Sequence, residues 1–267
     1  MRLCAIFHCW DDWKLLRYAV DNIRQVVDGI IIIGSTRSNY GEFSPIPSEW
    51  HIDELYIREP KFNLAMHSET DKRNYGLTIA REKRYTHFIT MDADEIYLPD
   101  EFIKAKAKFS NPDLNGLVCP CVTYFSSPQL TIGRDYTLVP HIHRLTPTIE
   151  HAFNKKYPFA WEGNAIRIDP TRAMNINSGV EYTEDITMHH LSWVREDYQK
   201  KIRNSTARAN LERSTILHDL VIAKDGEMCM FYGKVLSTTD TLNGILDKDL
   251  FKGHKSVATA NQAGPVS

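Results

Sequence analysis

The feature that most constrains the fold of this chain is an apolar stretch that ends in acids, THFITMDADEIYLPDEF at residues 86–102. The mostly apolar run at residues 88–91 is typical of a strand buried inside a sheet. Asp92 and Asp94 follow at its carboxyl end, and side chains two residues apart on a strand point to the same face. We therefore predict that these two carboxylates converge on one point.

The paired acids are a candidate metal site. Neighbouring carboxylates repel each other, and their burial costs free energy unless a cation or hydrogen-bond donors compensate the charge. Oxygen ligands of this kind suit Mg²⁺ or Mn²⁺. The alternative is a solvated acidic turn. The buried strand favours the metal site, because open α/β sheets bind ligands at the carboxyl ends of their strands.

The composition is that of an ordinary folded protein, with 25% charged residues and a formal net charge of −2 over 267 residues. This near-neutral charge gives no general field for nucleic acid or membranes, although residues 195–213 are locally basic. No apolar run reaches the length of a membrane span and no signal-peptide pattern is present, so we expect a cytoplasmic protein. The five cysteines are scattered and odd in number, which argues against a disulfide scaffold.

Apolar periodicity predicts an α/β fold. Strand and helix patterns alternate through the first 110 residues, and this order predicts a mostly parallel central sheet flanked by helices. The predicted strands of this part are residues 2–8, 29–34, 54–58 and 86–91. The predicted helices span residues 15–27 and 69–83, and a third begins at Pro99, followed by the acids Asp100 and Glu101. Because four strands are predicted up to this point, we expect Asp92 near the middle of the sheet.

The remainder of the chain has a different pattern. Little helix is predicted between residues 110 and 191, so we expect an added and partly antiparallel region there. Its predicted strands are residues 116–125, 136–145 and 181–191. A basic amphipathic helix at 195–213 and a further helix at 215–223 follow. The polar residues from 252 onward predict a flexible tail, and the absence of a linker before them predicts a single domain of residues 1–251.

Three motifs resemble those of GT-A-fold glycosyltransferases that use nucleotide sugars. Arg73-Asn74 stands on the predicted helix before the acidic strand, as an Arg-Asn element does in glycosyltransferase families 2 and 17. Residues 91–97, MDADEIY, match the D-x-D motif of these families and are closest to its family 17 form. His190-Leu-Ser-Trp193, followed by Lys200-Lys201, resembles a His-Cys-Ser segment and a later lysine of family 17. The resemblance covers residues 2–210.

The resemblance implies a GT-A-like, Rossmann-like domain with a metal site. In these families the second Asp of the motif binds Mn²⁺ or Mg²⁺, and the first contacts the ribose or the metal. The corresponding residues here are Asp94 and Asp92, and His190 would complete the site. Glu95 would be a ligand or the partner of a neighbouring backbone or arginine group. The cation would neutralise the charge that develops on the diphosphate leaving group.

The resemblance also implies which residues contact the donor. Arg73 would reach the diphosphate or the base, and Lys201 or its neighbour Lys200 would add positive charge near the phosphates. His8 and Trp10 follow the first strand, where the base pocket of the family begins, and the indole could stack on a base.

One departure from the family concerns the second strand. Family 2 enzymes carry an acid at its end that binds uracil, whereas this chain has Gly34-Ser35-Thr36. The hydroxyl group of Ser35 or Thr36 is the candidate substitute, and the identity of the nucleotide stays open.

An inverting transfer requires a general base for the acceptor hydroxyl. The candidates are Glu162, which lies between Trp161 and Gly163, and Asp185, which follows Glu184 shortly before the histidine motif. Glu162 is the preferred candidate because it belongs to the half expected to face the acceptor. A retaining mechanism would need no such base.

The resemblance divides the predicted domain into three parts. Residues 1–110 would bind the nucleotide, residues 111–193 would face the acceptor, and residues 194–251 would form C-terminal helices. The donor would be a nucleoside-diphosphate sugar, with UDP-sugars as the first candidates. The acceptor would be a glycan, a protein or a hydroxylated base in DNA.

Three other functions are alternatives. A metal-dependent nucleotidyltransferase also uses paired acids, but it needs a glycine-rich basic loop where this chain has the acidic segment HCWDD at residues 8–12. A non-catalytic nucleotide- or sugar-binding module could have the same fold. A zinc site at His141 and His143, with His189 or His190, is the third alternative, although no spacing here fits a structural zinc motif.

Overall fold

A computed structural model describes the chain except for residues 49–53, 154–166, 169–170, 196, 206–227, 230–233 and 247–267. Its strands are β1 Leu3–Cys9, β2 Gly29–Gly34, β3 Leu55–Ile57, β4 His87–Asp92, β5 Glu95–Ile96, β6 Gly116–Phe125, β7 Ser127–Arg144, β8 Arg167–Ile168, β9 Val180–Tyr182, β10 Met188–Trp193, β11 Met228–Cys229, β12 Lys234–Val235 and β13 Ser237–Thr238. Its helices are α1 Trp13–Ile23, α2 Ala65–Glu82, α3 Pro99–Ala107 and α4 Tyr198–Asn204, with a 3₁₀ turn at Lys108–Ser110.

The chain divides into two compact units. The first contains residues 1–122 and 134–190, and the second contains residues 123–133 and 191–267. The single-domain prediction for residues 1–251 did not include this division.

The sheet of the first unit has the strand order β3-β2-β1-β4-β7-β6-β10-β5. Strands β3, β2, β1 and β4 are parallel, whereas β7 pairs antiparallel with β4 and β5 pairs antiparallel with β10. The predicted mixed α/β class with a mostly parallel central sheet is confirmed. Asp92, at the end of β4, lies near the middle of the sheet as predicted.

The core of the first unit follows from the apolar patterns. The central residues of β1, β2 and β4 are buried. Helix α1 buries the predicted stripe that includes Leu16, Val20 and Ile23. Helix α2 contacts β1 at Gly76, where a Cβ atom would lie only 2.4 Å from Ile6 Cγ2, so only glycine permits this close packing.

Several elements differ from their predictions. Strand β7 begins at Ser127 instead of 136, because it pairs with β13 at Leu130 and Thr131 in the second unit. The strand predicted at 181–191 is two strands, β9 and β10. A two-residue strand, β5, follows β4 after a turn at residues 93–94.

The second unit contains the described C-terminal elements. The helix predicted at 195–213 is described only as α4, Tyr198–Asn204, and Asp197 caps it by accepting a hydrogen bond from the backbone of Lys200. The predicted helix at 215–223 and the predicted tail at 252–267 lie outside the described residues. Residues 228–238 contain the short strands β11, β12 and β13 where the prediction had helices.

Two further observations concern the described residues. None of the helices found there has the length and apolar character to cross a membrane. Cys4, Cys9, Cys119 and Cys121 are buried.

Candidate active site

The candidate site lies at the carboxyl ends of the parallel strands. Strands β1 to β4 all end at one edge of the sheet, where His8 pairs in register with Asp92. Strand β4 ends at Asp92, and a turn at residues 93–94 follows. The rule that side chains two residues apart on a strand share a face therefore does not apply to Asp94. Asp94 was expected on the strand and lies in the turn instead, and the convergence of the two carboxylates stays a prediction.

Two arginines hold the carboxylate of Asp92. Arg73 of α2 donates from Nη2 to both oxygens at 3.2 and 3.3 Å, and Arg172 donates from Nη2 to Oδ2 at 2.6 Å. Arg172 Nη2 also donates to Glu95 Oε1, and Arg73 Nη2 donates to Glu69 Oε1 at 2.6 Å. These contacts form one chain, which we call the acid–arginine cluster: Glu69, Arg73, Asp92, Arg172 and Glu95.

The acid–arginine cluster is largely buried. The side chains of Arg73 and Glu95 are 0% exposed and that of Arg172 is 6% exposed, whereas that of Asp92 is 30% exposed. Burial raises the pKa of Glu95 to about 7, although the Arg172 guanidinium opposes this change. Buried guanidinium groups retain their charge, so each needs carboxylate partners of the kind found here.

Asp94 has different surroundings from Asp92. Its side chain is 4% exposed, and its Oδ1 lies 3.7 Å from Nε2 of His190. The two residues meet because Glu95 of β5 pairs in register with His190 of β10. His190 is 28% exposed, whereas burial lowers the pKa of its neighbour His189 to about 4. The structure thus brings together two of the three residues assigned to the metal, Asp94 and His190, whereas Asp92, the third, is bound by arginines.

Within the described ranges, no three His, Cys, Asp or Glu side chains gather as a metal centre. A cation at Asp94 and His190 would therefore have these two ligands among the side chains that the structure describes. The donor set, a carboxylate oxygen and an imidazole nitrogen, fits Mn²⁺. Magnesium-type sites commonly take their other ligands from substrate phosphates and water, so a two-residue site is sufficient for this class.

The two residues of the Arg73-Asn74 motif bind different partners. While Arg73 binds Asp92, Asn74 exchanges two hydrogen bonds with the backbone of His151, donating at 2.9 Å and accepting at 2.7 Å. His151 Nε2 lies 3.1 Å from the hydroxyl group of Thr90, next to the end of β4. Burial and then the Arg73 charge lower the pKa of His8 to about 3, so this histidine is neutral.

Gly34-Ser35-Thr36 at the end of β2 contains no acid, but an acid from another part of the chain lies against it. Glu59, shortly after β3, accepts hydrogen bonds from the backbone and hydroxyl of Thr36 at 2.8 Å each, and from Ser35 Oγ at 3.0 Å. Burial opposes ionisation of Glu59, but the hydrogen bonds from Thr36, Ser35 and Arg37 together outweigh it and lower the pKa of Glu59. Ser35, predicted to contact the nucleotide, is 1% exposed and also donates to Arg37 O at 2.5 Å.

The other residues predicted to contact the donor are Trp10, Lys200 and Lys201. Trp10 follows β1 and is half-buried, and its carbonyl accepts a hydrogen bond from Trp13 Nε1 at 3.1 Å. Lys201 and Lys200 lie on α4 in the second unit. Their assignment to phosphate binding stays a prediction.

The structure does not bring Asp185 to the other site residues. Its carboxylate lies 2.7 Å from Lys108 Nζ, and the hydrogen bond from Lys108 is the main cause that lowers the pKa of Asp185. Phe109, next to Lys108, packs against His87 at the opposite end of β4 from Asp92. Glu162 lies outside the described residues.

His141 and His143 have aromatic surroundings. The ring centroid of His141 lies 4.8 Å from that of Tyr97 and 5.0 Å from that of Phe102, and the ring centroid of His143 lies 5.9 Å from that of Phe88. Burial lowers the pKa of His141 to about 3 and that of His143 to about 4. These contacts explain both residues as packed core histidines and do not support the zinc alternative.

Sequence reasoning missed three charged residues of this region: Glu59, Glu69 and Arg172. Arg172 lies 80 positions after Asp92 in an irregular segment, and no periodic pattern marks it. Glu69 had a local signal, since it stands one helical turn before Arg73 in the i,i+4 arrangement that favours a salt bridge.

No family model and no curated protein sequence matches this chain. Among solved structures, those of S. aureus TarS are similar to this chain. TarS 1–349 aligns with a TM-score of 0.42 and 13% identity over 85% of this chain and 67% of that chain. A longer TarS structure aligns with the same score and identity over 83% of this chain and 43% of its own length, so this chain spans less than half of it.

Two other solved structures align more weakly. TarS 1–349 in complex with UDP has a TM-score of 0.31 and 9% identity, over 46% of this chain and 36% of that chain. A mannose-1-phosphate geranyltransferase from Thermus thermophilus has a TM-score of 0.28 and 10% identity, over 48% of this chain and 43% of that chain.

Proposed function

We propose that this protein is a metal-dependent glycosyltransferase that moves a sugar from a nucleoside-diphosphate sugar to an acceptor hydroxyl. One observation carries the proposal: a buried carboxylate, Asp94, lies 3.7 Å from the His190 imidazole beside the arginine-bound Asp92. This arrangement lies at the carboxyl end of a middle strand, where open α/β sheets bind their ligands.

The balance of charge supports a cation at this place. The acid–arginine cluster together with Asp94 contains four carboxylates and two guanidinium groups. When Glu95 is ionised, these six groups by themselves carry two more negative than positive charges in a largely buried region. Buried charge of one sign is costly unless it is compensated, and a divalent cation would match the excess.

Asp94 and His190 would hold the cation, which would be Mn²⁺ or Mg²⁺. When bound, such an ion stabilises the negative charge that develops on the diphosphate leaving group. Arg73 and Arg172 fix the carboxylate of Asp92, which is 30% exposed and can accept a hydrogen bond from a hydroxyl group of the donor. In this assignment Asp92 orients the donor, and Asp94 with His190 binds the metal.

The general base of an inverting transfer is assigned to Glu162. The other candidate, Asp185, is held by Lys108, and its lowered pKa makes it a weak proton acceptor. We expect Glu162→Gln to bind the donor with unchanged affinity and to lose acceptor glycosylation. Full transfer activity in this variant would remove the assignment.

A thermal-shift screen tests the proposed function. The wild type is heated with UDP-sugars and other nucleoside-diphosphate sugars, each with and without Mn²⁺, and Asp94→Asn is measured beside it. We expect one donor to raise the melting temperature only with Mn²⁺, and Asp94→Asn to lose that response. Asp113→Asn, which changes an exposed acid of the first unit, serves as the matched control and should respond like the wild type.

Two results would contradict the proposal. Stabilisation by no donor at any metal concentration would exclude a nucleotide-sugar enzyme. Stabilisation by a nucleoside triphosphate with release of pyrophosphate would instead identify a nucleotidyltransferase.

A further inference from the structure

Lys72 is a buried lysine that the proposed chemistry does not use. It stands on α2 directly before Arg73 and is 7% exposed. Among the residues that the structure describes, no side chain or carbonyl forms a hydrogen bond or an ion pair with its ammonium group. A lysine ammonium has three N–H donors, and none of them meets a protein acceptor among the described residues, so all three are available to water or to a ligand.

The charges around Lys72 come from three elements. Glu69 and Asp71 belong to its own helix, Glu59 follows β3, and the thiol of Cys9 lies at the end of β1. Burial lowers the pKa of Lys72 to about 8, and these groups oppose that change, Glu69 most strongly. At pH 7 the side chain is therefore mostly a cation.

The two nearby glutamates are engaged elsewhere. Glu69 Oε1 accepts hydrogen bonds from Arg73 at 2.6 Å and from Thr171 at 3.0 Å. Both oxygens of Glu59 accept hydrogen bonds from the segment that follows β2. These carboxylates attract the Lys72 ammonium without accepting hydrogen bonds from it. The folded state therefore gains no hydrogen bond in return for the partial desolvation of this cation. Ionisable groups with perturbed pKa values cluster at functional sites, which makes Lys72 a candidate binding residue.

The position of Lys72 points to its ligand. Cys9 and Glu59 lie at the same sheet edge as Asp92, on the side of β1 and β3. A ligand that is held at Asp94 and His190 and extends along this edge towards β1 and β3 would approach the surroundings of Lys72. Lysine binds phosphate as a point charge with several donors.

We propose that Lys72 binds a phosphate group of the nucleoside diphosphate, with its ammonium donating to the phosphate oxygens. This inference rests on the proposed function and adds a binding residue outside the motifs. The competing explanation is structural, in which Lys72 only reduces the repulsion between Glu59 and Glu69. The two explanations predict opposite effects on stability.

Calorimetric titration of UDP in the presence of Mn²⁺ tests the proposal. The proteins are the wild type, Lys72→Met, Lys72→Arg and a matched control, Lys83→Met, which removes a half-exposed lysine at the far end of α2. We expect Lys72→Met to bind UDP about tenfold more weakly or worse, because a charge-assisted hydrogen bond is lost. Its melting temperature should be unchanged or higher, since a buried charge is removed.

Two further measurements separate phosphate binding from other roles. Titration with uridine should give the same affinity in the wild type and in Lys72→Met. Between pH 7 and pH 9 the wild type should lose affinity for UDP as Lys72 releases its proton, whereas Lys72→Arg should not, because arginine keeps its charge.

Each contrary result has a defined meaning. Equal UDP affinity in the wild type and Lys72→Met overturns the inference about Lys72 and leaves the proposed function standing. A Lys72→Met variant that loses stability but keeps its UDP affinity has the same meaning. An equal loss of uridine affinity overturns the phosphate assignment. A wild type that binds no nucleoside diphosphate overturns the proposed function and this inference with it.

Discussion

Asp92 and Asp94 differ in their surroundings more than their spacing suggests. The carboxylate of Asp92 accepts hydrogen bonds from Arg73 and Arg172, whereas that of Asp94 lies 3.7 Å from the His190 imidazole. The cause is the turn at residues 93–94, after which β5 pairs with β10 instead of continuing β4. Two acids that look equivalent in the motif thus belong to two different networks.

The two networks suit different roles. In the acid–arginine cluster two guanidinium groups neutralise most of the charge of three carboxylates, and both arginines hold Asp92 in one orientation. The Asp94–His190 pair combines oxygen and nitrogen donors of the kind that metals bind. Removal of a cluster residue should therefore affect stability, and removal of a residue of the pair should affect metal binding.

The largest expected effect is that of Arg172→Ala on stability. The change leaves Glu95 buried without its guanidinium partner, and removing one member of a buried ion pair costs about 3–5 kcal/mol. Denaturant unfolding measures this loss. Arg134→Ala, which removes an arginine from the exposed pair with Glu184, should change stability far less. Equal effects of the two changes would show that the cluster does not compensate buried charge.

A smaller effect is expected for Glu95→Gln, and it depends on pH. Burial raises the pKa of Glu95 to about 7 in the folded state, above its unfolded value of 4.5. The folded state therefore binds the extra proton between these values, and the wild type loses stability as the pH rises through this window. Glutamine does not titrate, so the variant should not lose stability in this window. From pH 5 to pH 8 the free energy of unfolding of Glu95→Gln should therefore rise relative to that of the wild type by about 1–3 kcal/mol.

Unfolding curves of the wild type and Glu95→Gln at pH 5 and pH 8 measure this shift. A stability difference that is the same at both pH values would show that Glu95 is ionised throughout and permanently paired with Arg172.

The smallest effect on stability is expected for His190→Ala. The side chain is 28% exposed, and its loss should change the free energy of unfolding by no more than about 1 kcal/mol. The same variant should lose the Mn²⁺-dependent part of nucleotide binding. A large loss of stability with metal dependence intact would place His190 in a structural role, and the contrast with the cluster would disappear.

Local patterns were sufficient for the parallel half of the first unit. Strand β2, Gly29–Gly34, was predicted residue for residue, because an apolar β-branched run between two glycines has few alternatives. Helix α3 begins at Pro99 with Asp100 and Glu101 in its first turn, as its sequence signals indicated.

The networks of the site depend on long-range contacts, and these were not predictable from local patterns. Strand β5 exists only through its pairing with β10, about a hundred residues later in the chain. Arg172 reaches Asp92 from an irregular segment, and Glu59 reaches the end of β2 from beyond β3. Such residues are placed by the tertiary fold, so a single sequence can name the acids of the motif but not their partners.

We propose that Asp94 binds the metal and that Asp92 does not. Titration of Mn²⁺ into the UDP-saturated wild type, Asp92→Asn and Asp94→Asn measures this directly. We predict that Asp94→Asn abolishes measurable Mn²⁺ binding, whereas Asp92→Asn retains it with an affinity lowered by no more than about tenfold. Retained binding in Asp94→Asn, together with its loss in Asp92→Asn, would contradict the account.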